Sequence, residues 1–160
     1  MRLQRIEFAL EQCEQHLEHS AAYGTEIESL LTQSVLVIMC AEFEQKIEDI
    51  VRSKCGSVED KAIKEFLSSC VAAVFRSVKS SELAGLLNRF GPEYKDAYKV
   101  RADDQQRAVT YYNNIVTNRH AIAHHLGSTV SFREAKLFYE EGHVVLDFFN
   151  DVLLTDEPLP

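Results

Sequence analysis

The run Asn118-Arg119-His120-Ala121-Ile122-Ala123-His124-His125 holds the side chains best suited to chemistry in this chain. A guanidinium grips two phosphate oxygens at once and stabilises charge as it builds on them. An imidazole changes protonation near neutrality, so it can take a proton or give one. Arginine with a histidine five places on is therefore material for breaking an RNA phosphodiester without a metal. The reaction needs a base for the 2′-hydroxyl, an acid for the departing 5′-oxygen, and positive charge for the phosphorane. Acid–base help of this kind is worth about 10²–10⁴-fold.

These residues must be positioned by a helix. The spacing predicts one from about Asp103 through the motif, with Gly127 suited to its C-terminal end. Its apolar stripe is Ala108, Tyr111, Ile115, Ile122 and Leu126, and Arg119 takes the place between Ile115 and Ile122. A charge in such a stripe needs a partner or an interface. Glu42 and Glu44 are the candidate carboxylates. His120 and His124, four apart, share a face. Arg119 and His124, five apart, are separated by roughly 140° around an ideal helix. One straight helix does not easily bring them together; a long arginine side chain, a loosened last turn or a second copy of the chain would each close the gap. A symmetric dimer would gather two arginines and several histidines in one cleft.

Plainer roles stand beside each of these. Arg119 also suits an ion pair between helices, and His124 suits the negative end of a helix dipole. His120 and His124 have metal-ligand spacing, but no third ligand stands nearby, so neither metal nor cofactor is expected. Asn114 and Asn118, one turn from the motif, suit either substrate hydrogen bonds or polar surface. Tyr111 and Tyr112 suit base stacking or packing. Lys95, Lys99, Arg101 and Arg107 form the one basic neighbourhood, which either meets an RNA backbone or balances Glu93, Asp96, Asp103 and Asp104. His16, His19 and His143 read as solvated.

The rest of the chain reads as helices. Leu3, Ile6, Leu10, Cys13 and Leu17 recur at helical spacing over residues 2–19, and residues 20–24 read as a turn. Thr25 with Glu28 has the spacing of a capping box. The helix after it, over about 26–54, has the stripes Leu36, Cys40, Phe43, Ile47, Ile50 and Ile27, Leu30, Leu31, Val35, Ile38. That pattern predicts a central buried helix. Ser57 with Asp60 suggests a cap for a helix to about residue 76 that buries Ile63, Phe66, Leu67, Cys70 and Val74. A short helix over 81–90 stops at Gly91-Pro92, and 93–101 reads as a weaker helical turn or a loop. Ser131 with Glu134 caps a last helix with the stripe Phe138, Val145, Phe149, Val152, and a loose tail follows from Thr155. One domain over residues 1–160 is expected: an all-α bundle of five or more helices with long antiparallel core helices.

Composition narrows the classes further. A net charge of −8 speaks against tight nonspecific binding to long nucleic acid, which draws on a broad basic surface. The longest apolar run, Val35 to Ala41, is seven residues, whereas a membrane span needs about 20. Four cysteines without a C-x-x-C pair, and a start without a leader pattern, point to a reduced, cytoplasmic setting.

The motif, with Cys40-Ala41-Glu42-Phe43-Glu44 and Leu86-Leu87-Asn88-Arg89-Phe90-Gly91, resembles the HEPN superfamily, and within it the RiboL-PSP-HEPN branch, over about residues 25–154. The resemblance implies a helical bundle that dimerises, with a composite ribonuclease site between protomers. Arg119 would hold and stabilise the phosphate, His124 would act on the 2′-hydroxyl, and His120 would take the polar position after the arginine. His125 would satisfy a longer spacing, and Asn118, Asn114 and Glu44 would support the site. The products would be 2′,3′-cyclic phosphate and 5′-hydroxyl ends. A toxin or antiviral-defence effector is implied, with an antitoxin or regulatory protein as a further partner. The family also includes inactive modules that bind RNA, nucleotide or a partner protein.

Overall fold

The computed structural model describes residues 1–56, 58–65, 79–124 and 129–155. Its regular structure is helical, with no strand among the described residues. In chain order the helices are α1 (Gln4–His19), α2 (Glu26–Gly56), α3 (Ser80–Leu87), α4 (Pro92–Asp104), α5 (Gln106–Ala123), α6 (Phe132–Gly142) and α7 (Val144–Leu154). Residues 61–65 are helical as well.

The long helix α2 is the centre of the bundle, packed by α1, α5, α6 and α7. Arg5 meets Glu42 at 2.8 Å, so α2 runs back antiparallel along α1 after the turn at Ala21 and Gly24, both with positive φ. Cys40 meets Ile115, and Phe43 stacks on Tyr112, so α5 is also antiparallel to α2. The first apolar stripe of α2 is buried throughout, from Leu36 to Ile50. The second is not. Val35 is buried and Leu31 and Ile38 are half-buried, but Ile27 and Leu30 lie in solvent. The reason is coverage: neighbours wrap only one side of the first turns of α2.

Several expected boundaries move. The Thr25 hydroxyl donates to the Ala22 carbonyl, and Glu28 accepts from Gly24 N–H and Phe132 N–H instead of closing a box on Thr25. Asp60 caps residues 61–65 itself, its carboxylate accepting from Ile63 N–H at 3.0 Å. Ile63 is 51% exposed rather than core. Ser57, Phe66, Leu67, Cys70 and Val74 lie outside the described residues, as does the tail beyond Thr155.

Residues 93–101 lie within a full helix, α4, which goes beyond the weak helical turn or loop expected there. Pro92 at its first turn is preset for a helix start, and Ala97 and Tyr98 bury against the core. The long helix expected from Asp103 instead restarts at Gln106, because Gln105 leaves helical geometry (φ −121°, ψ 43°). That bend lets both Tyr98 and Tyr112 reach the interior. The last helix is likewise two. Ser131 and Glu134 form the expected reciprocal cap, but the chain turns at His143 so that α6 packs on α5 while α7 packs on α2 and α4. His143 is half-buried beside the Tyr139 ring, not simply solvated. Among the described residues no helix is long and apolar enough to cross a membrane.

Candidate active site at the end of α5

Helix α5 buries Ala108, Tyr112, Ile115 and Val116. Tyr112, not Tyr111, belongs to this stripe, because its ring stacks on Phe43 with centroids 5.4 Å apart. It is 1% exposed and is not available to a base. Tyr111 packs on Phe138 at the edge of the stripe. At 3.6 residues per turn the next position on the buried face is Arg119, as the sequence pattern requires. Its side chain is half-buried there.

Beneath it lies Cys40, whose thiol donates to the Ile115 carbonyl at 3.8 Å. Burial pushes this thiol up to about 12; Glu44 adds to the rise and Arg119 opposes it. The charges of Arg119 and Glu44 thus both act on one buried sulfur. Glu42 turns the other way, to Arg5, which removes it as a partner of Arg119. No ion pair within 4 Å links Arg119 to a carboxylate among the described residues.

Helix α5 ends at Ala123, earlier than Gly127, which lies outside the described residues together with His125. His124 is the C-cap, its N–H shared between the His120 and Ala121 carbonyls at 3.1 and 3.2 Å. Its side chain is exposed, and that of His120, one turn back, is half-buried. The Asn118 amide donates to the Asn114 carbonyl at 2.8 Å, a bond along its own helix; Asn114 is half-buried. No hydrogen bond joins Arg119 to His120 or His124 among the described residues. The structure therefore groups the two imidazoles on one face of α5 and sets the guanidinium on another, toward α2.

Of the basic neighbourhood, Arg101 is paired with Asp151 and Arg107 with Glu141. Lys95 and Lys99 have no carboxylate within 4 Å among the described residues, and both line an open cavity between α3, α4 and α5. Asn113 was missed by sequence reasoning. Its carbonyl oxygen accepts from Ser80 N–H at 3.0 Å and ties α3 to α5. The neighbouring Asn114 drew attention only through its distance from the motif; nothing local marks Asn113, because its partner is 33 residues away.

Among the described residues no three His, Cys, Asp or Glu side chains gather as metal ligands. A guanidinium with no carboxylate within 4 Å among the described residues, beside two imidazoles one turn apart, suits anion recognition and proton transfer.

No curated protein and no solved structure matches the chain. The model of one family, RiboL-PSP-HEPN, matches residues 2–155. The match takes in α1 as well as the expected 25–154, so the first helix is part of the family's domain. With nearly its whole length matched and an all-helical fold around the arginine–histidine motif, the chain belongs to the RiboL-PSP-HEPN family of the HEPN superfamily.

Proposed function

We propose that the protein is a metal-independent endoribonuclease that works as a homodimer. Membership of the family supports a nuclease or RNA-related role in general terms. The observation that carries the specific reading is Arg119: a half-buried guanidinium in a core-facing stripe, with no carboxylate within 4 Å among the described residues. Keeping such a charge out of bulk water is unfavourable unless an anion or an interface compensates. A scissile phosphate supplies the anion.

His124 takes the proton of the 2′-hydroxyl as its oxygen attacks the adjacent phosphorus. His120, on the same face, gives a proton to the 5′-oxygen as the P–O5′ bond breaks. Cβ atoms four residues apart on a helix stand about 6 Å from one another, a separation that allows two imidazoles to flank one phosphate. Arg119 stabilises the negative charge on the phosphorane. It lies roughly 140° around the helix from His124, so the arginine that completes each site comes from a second copy related by a twofold axis. The chain's acidity limits cationic attraction to local sites such as that cleft. Within this reading the enzyme acts in the cytoplasm as a toxin or defence effector under the control of an antitoxin or regulatory protein.

The test is a mixed RNA pool incubated in EDTA with wild type, Arg119→Ala and His124→Ala. Wild type should leave 2′,3′-cyclic phosphate and 5′-hydroxyl ends. Each variant should lose at least about 10²-fold in rate with an unchanged circular-dichroism melt. Mixing the two variants should restore part of the activity, because a heterodimer can rebuild one intact site. Equal cleavage by wild type and both variants rejects the assignment.

A further inference from the structure

Helix α5 does not end its polar business at the histidines. On an ideal helix, residues seven and eleven places apart fall within about 20° of one line. Asn113, His120 and His124 have that spacing, and exposed Thr117 lies between them. Followed toward the start of α5, this line enters an open cavity of about 630 Å³ between α3, α4 and α5. Lys95 and Lys99 line it from α4, Ser81 from α3, and Thr110 and Asn113 from α5.

Charge separates this cavity from the surface around it. Arg101 and Arg107, the other cations of the neighbourhood, are held by Asp151 and Glu141. Lys95 and Lys99 have no such partner among the described residues. Asp103 also lines the cavity, yet it forms no ion pair with Lys99 although the two sit at helical i, i+4 spacing. One carboxylate against two ammonium groups leaves the pocket positive on a chain of net charge −8. Hydroxyl and amide groups beside the lysines add hydrogen bonds to an oxyanion. Val109 and Ala102 line the same cavity and offer apolar surface to a sugar or base.

From these placements we infer that the Lys95–Lys99 cavity is a second phosphate-binding subsite, which holds the backbone of single-stranded RNA a few nucleotides from the cleavage point. The inference rests on the proposed site at His120 and His124 as the other end of the path. The rise of 1.5 Å per residue puts Asn113 about 16 Å from His124, a span that a few nucleotides of single strand cover. A short-range cationic cavity on an acidic protein also explains how RNA is gripped without a broad basic surface. Grip then depends on strand length: a dinucleotide reaches the histidines alone, and a longer strand reaches both.

The experiment separates binding from turnover. The probe is a fluorescent single strand of about 12 nucleotides, 2′-O-methylated throughout so that it cannot be cut. Wild type is compared with Lys95→Gln/Lys99→Gln and with Arg2→Gln/Arg5→Gln, which removes the same charge from just before α1 and from its first turn. The lysine variant should bind about tenfold more weakly at low salt, and its log–log salt dependence should be shallower by about 1. The α1 variant should bind like wild type, and cleavage of an unmodified dinucleotide should be unchanged by the lysine substitutions. Failure of wild type to bind the strand, unchanged affinity in the lysine variant, or an equal loss in the α1 variant overturns the inference. If wild type cleaves RNA but the lysine variant binds normally, the subsite falls and the nuclease reading stands. If no RNA is cut but binding depends on Lys95 and Lys99, the subsite stands and the nuclease reading falls.

Discussion

The two halves of α5 are built for opposite ends. From Ala108 to Val116 the helix is fastened into the bundle. Tyr112 lies nearly parallel to Phe43, at an interplanar angle of 8°. Burial pushes its phenol well above the ordinary tyrosine value. Gly142 of α6 comes so close that a Cβ there would stand 2.7 Å from the Tyr112 nitrogen. From Thr117 onward no described side chain of the helix is fully buried, and Arg119, His120 and His124 stand at its edge. One continuous hydrogen-bonded rod thus transmits rigidity from a packed half to a displayed half. The site needs no packing of its own, because its geometry is inherited from residues two turns away. It follows that stability and chemistry should separate when each half is disturbed in turn.

The sharpest test removes the Phe43 ring, which lies between Tyr112 and Tyr139. Phe43→Ala should destabilise the fold by about 3–5 kcal/mol, through lost burial and the cavity left behind. Chemical denaturation would show this as a lower midpoint. Arg119→Ala should leave that midpoint in place while abolishing cleavage. Comparable destabilisation by the two substitutions would break the contrast, and would mean that Arg119 is a structural residue.

A smaller effect is expected at the contact between α5 and α6. Gly142→Ala places a methyl group against the backbone of Tyr111 and Tyr112, and backbone cannot swing aside as the end of a flexible side chain can. The helices must part slightly, at a cost of about 1–3 kcal/mol. For a chain of this size that is a melting temperature lower by about 2–4 °C per kcal/mol. Cleavage per folded molecule, measured well below the melt, should change little. A large loss of rate with an unchanged melt would show that the spacing of α5 and α6 tunes the site directly.

What was legible in the sequence follows the same division. The packed half announces itself by periodicity: Leu36, Cys40, Phe43, Ile47 and Ile50 are buried where a 3.6-residue repeat puts them. Arg119 was visible as a charge interrupting a stripe, and its half-buried place bears that out. Breaks in the rods were not legible. Gln105 and His143 are ordinary helix residues, and the chain bends there because the next segment packs on different neighbours, a tertiary cause with no local mark. Tyr111 was set in the stripe in place of Tyr112 because adjacent tyrosines satisfy the pattern almost equally. Thr25 and Glu28 had the right spacing for a cap, but Glu28 found a better use across the fold. The proposed roles of His124 and Arg119 in catalysis rest on family likeness and placement, since residue spacing alone does not assemble a site on two faces of one helix.

That second use of Glu28 provides the gentlest test of the contrast. Its carboxylate accepts from Gly24 N–H at 2.6 Å and from Phe132 N–H at 2.9 Å, joining the turn before α2 to the first residue of α6. These bonds, Gly24 first and Phe132 second, hold its pKa below the ordinary 4.5. A carboxyl group held down in the folded state stabilises it above the unfolded value, and that contribution is lost as pH falls through the folded one. The fold should therefore keep this contribution at neutral pH and lose it only below about pH 4.5. Glu28→Gln keeps an acceptor but removes the charge. At pH 7 it should be less stable by about 1 kcal/mol, a modest figure because water reaches the group. The gap from wild type should close as both are acidified below that point. Cleavage at neutral pH should be untouched, because Glu28 fastens the bundle at α6 and not the exposed turn of α5. A variant as stable as wild type at pH 7 would mean that water replaces the carboxylate at both amides, and a variant with normal stability but impaired cleavage would show that the start of α6 belongs to the displayed half.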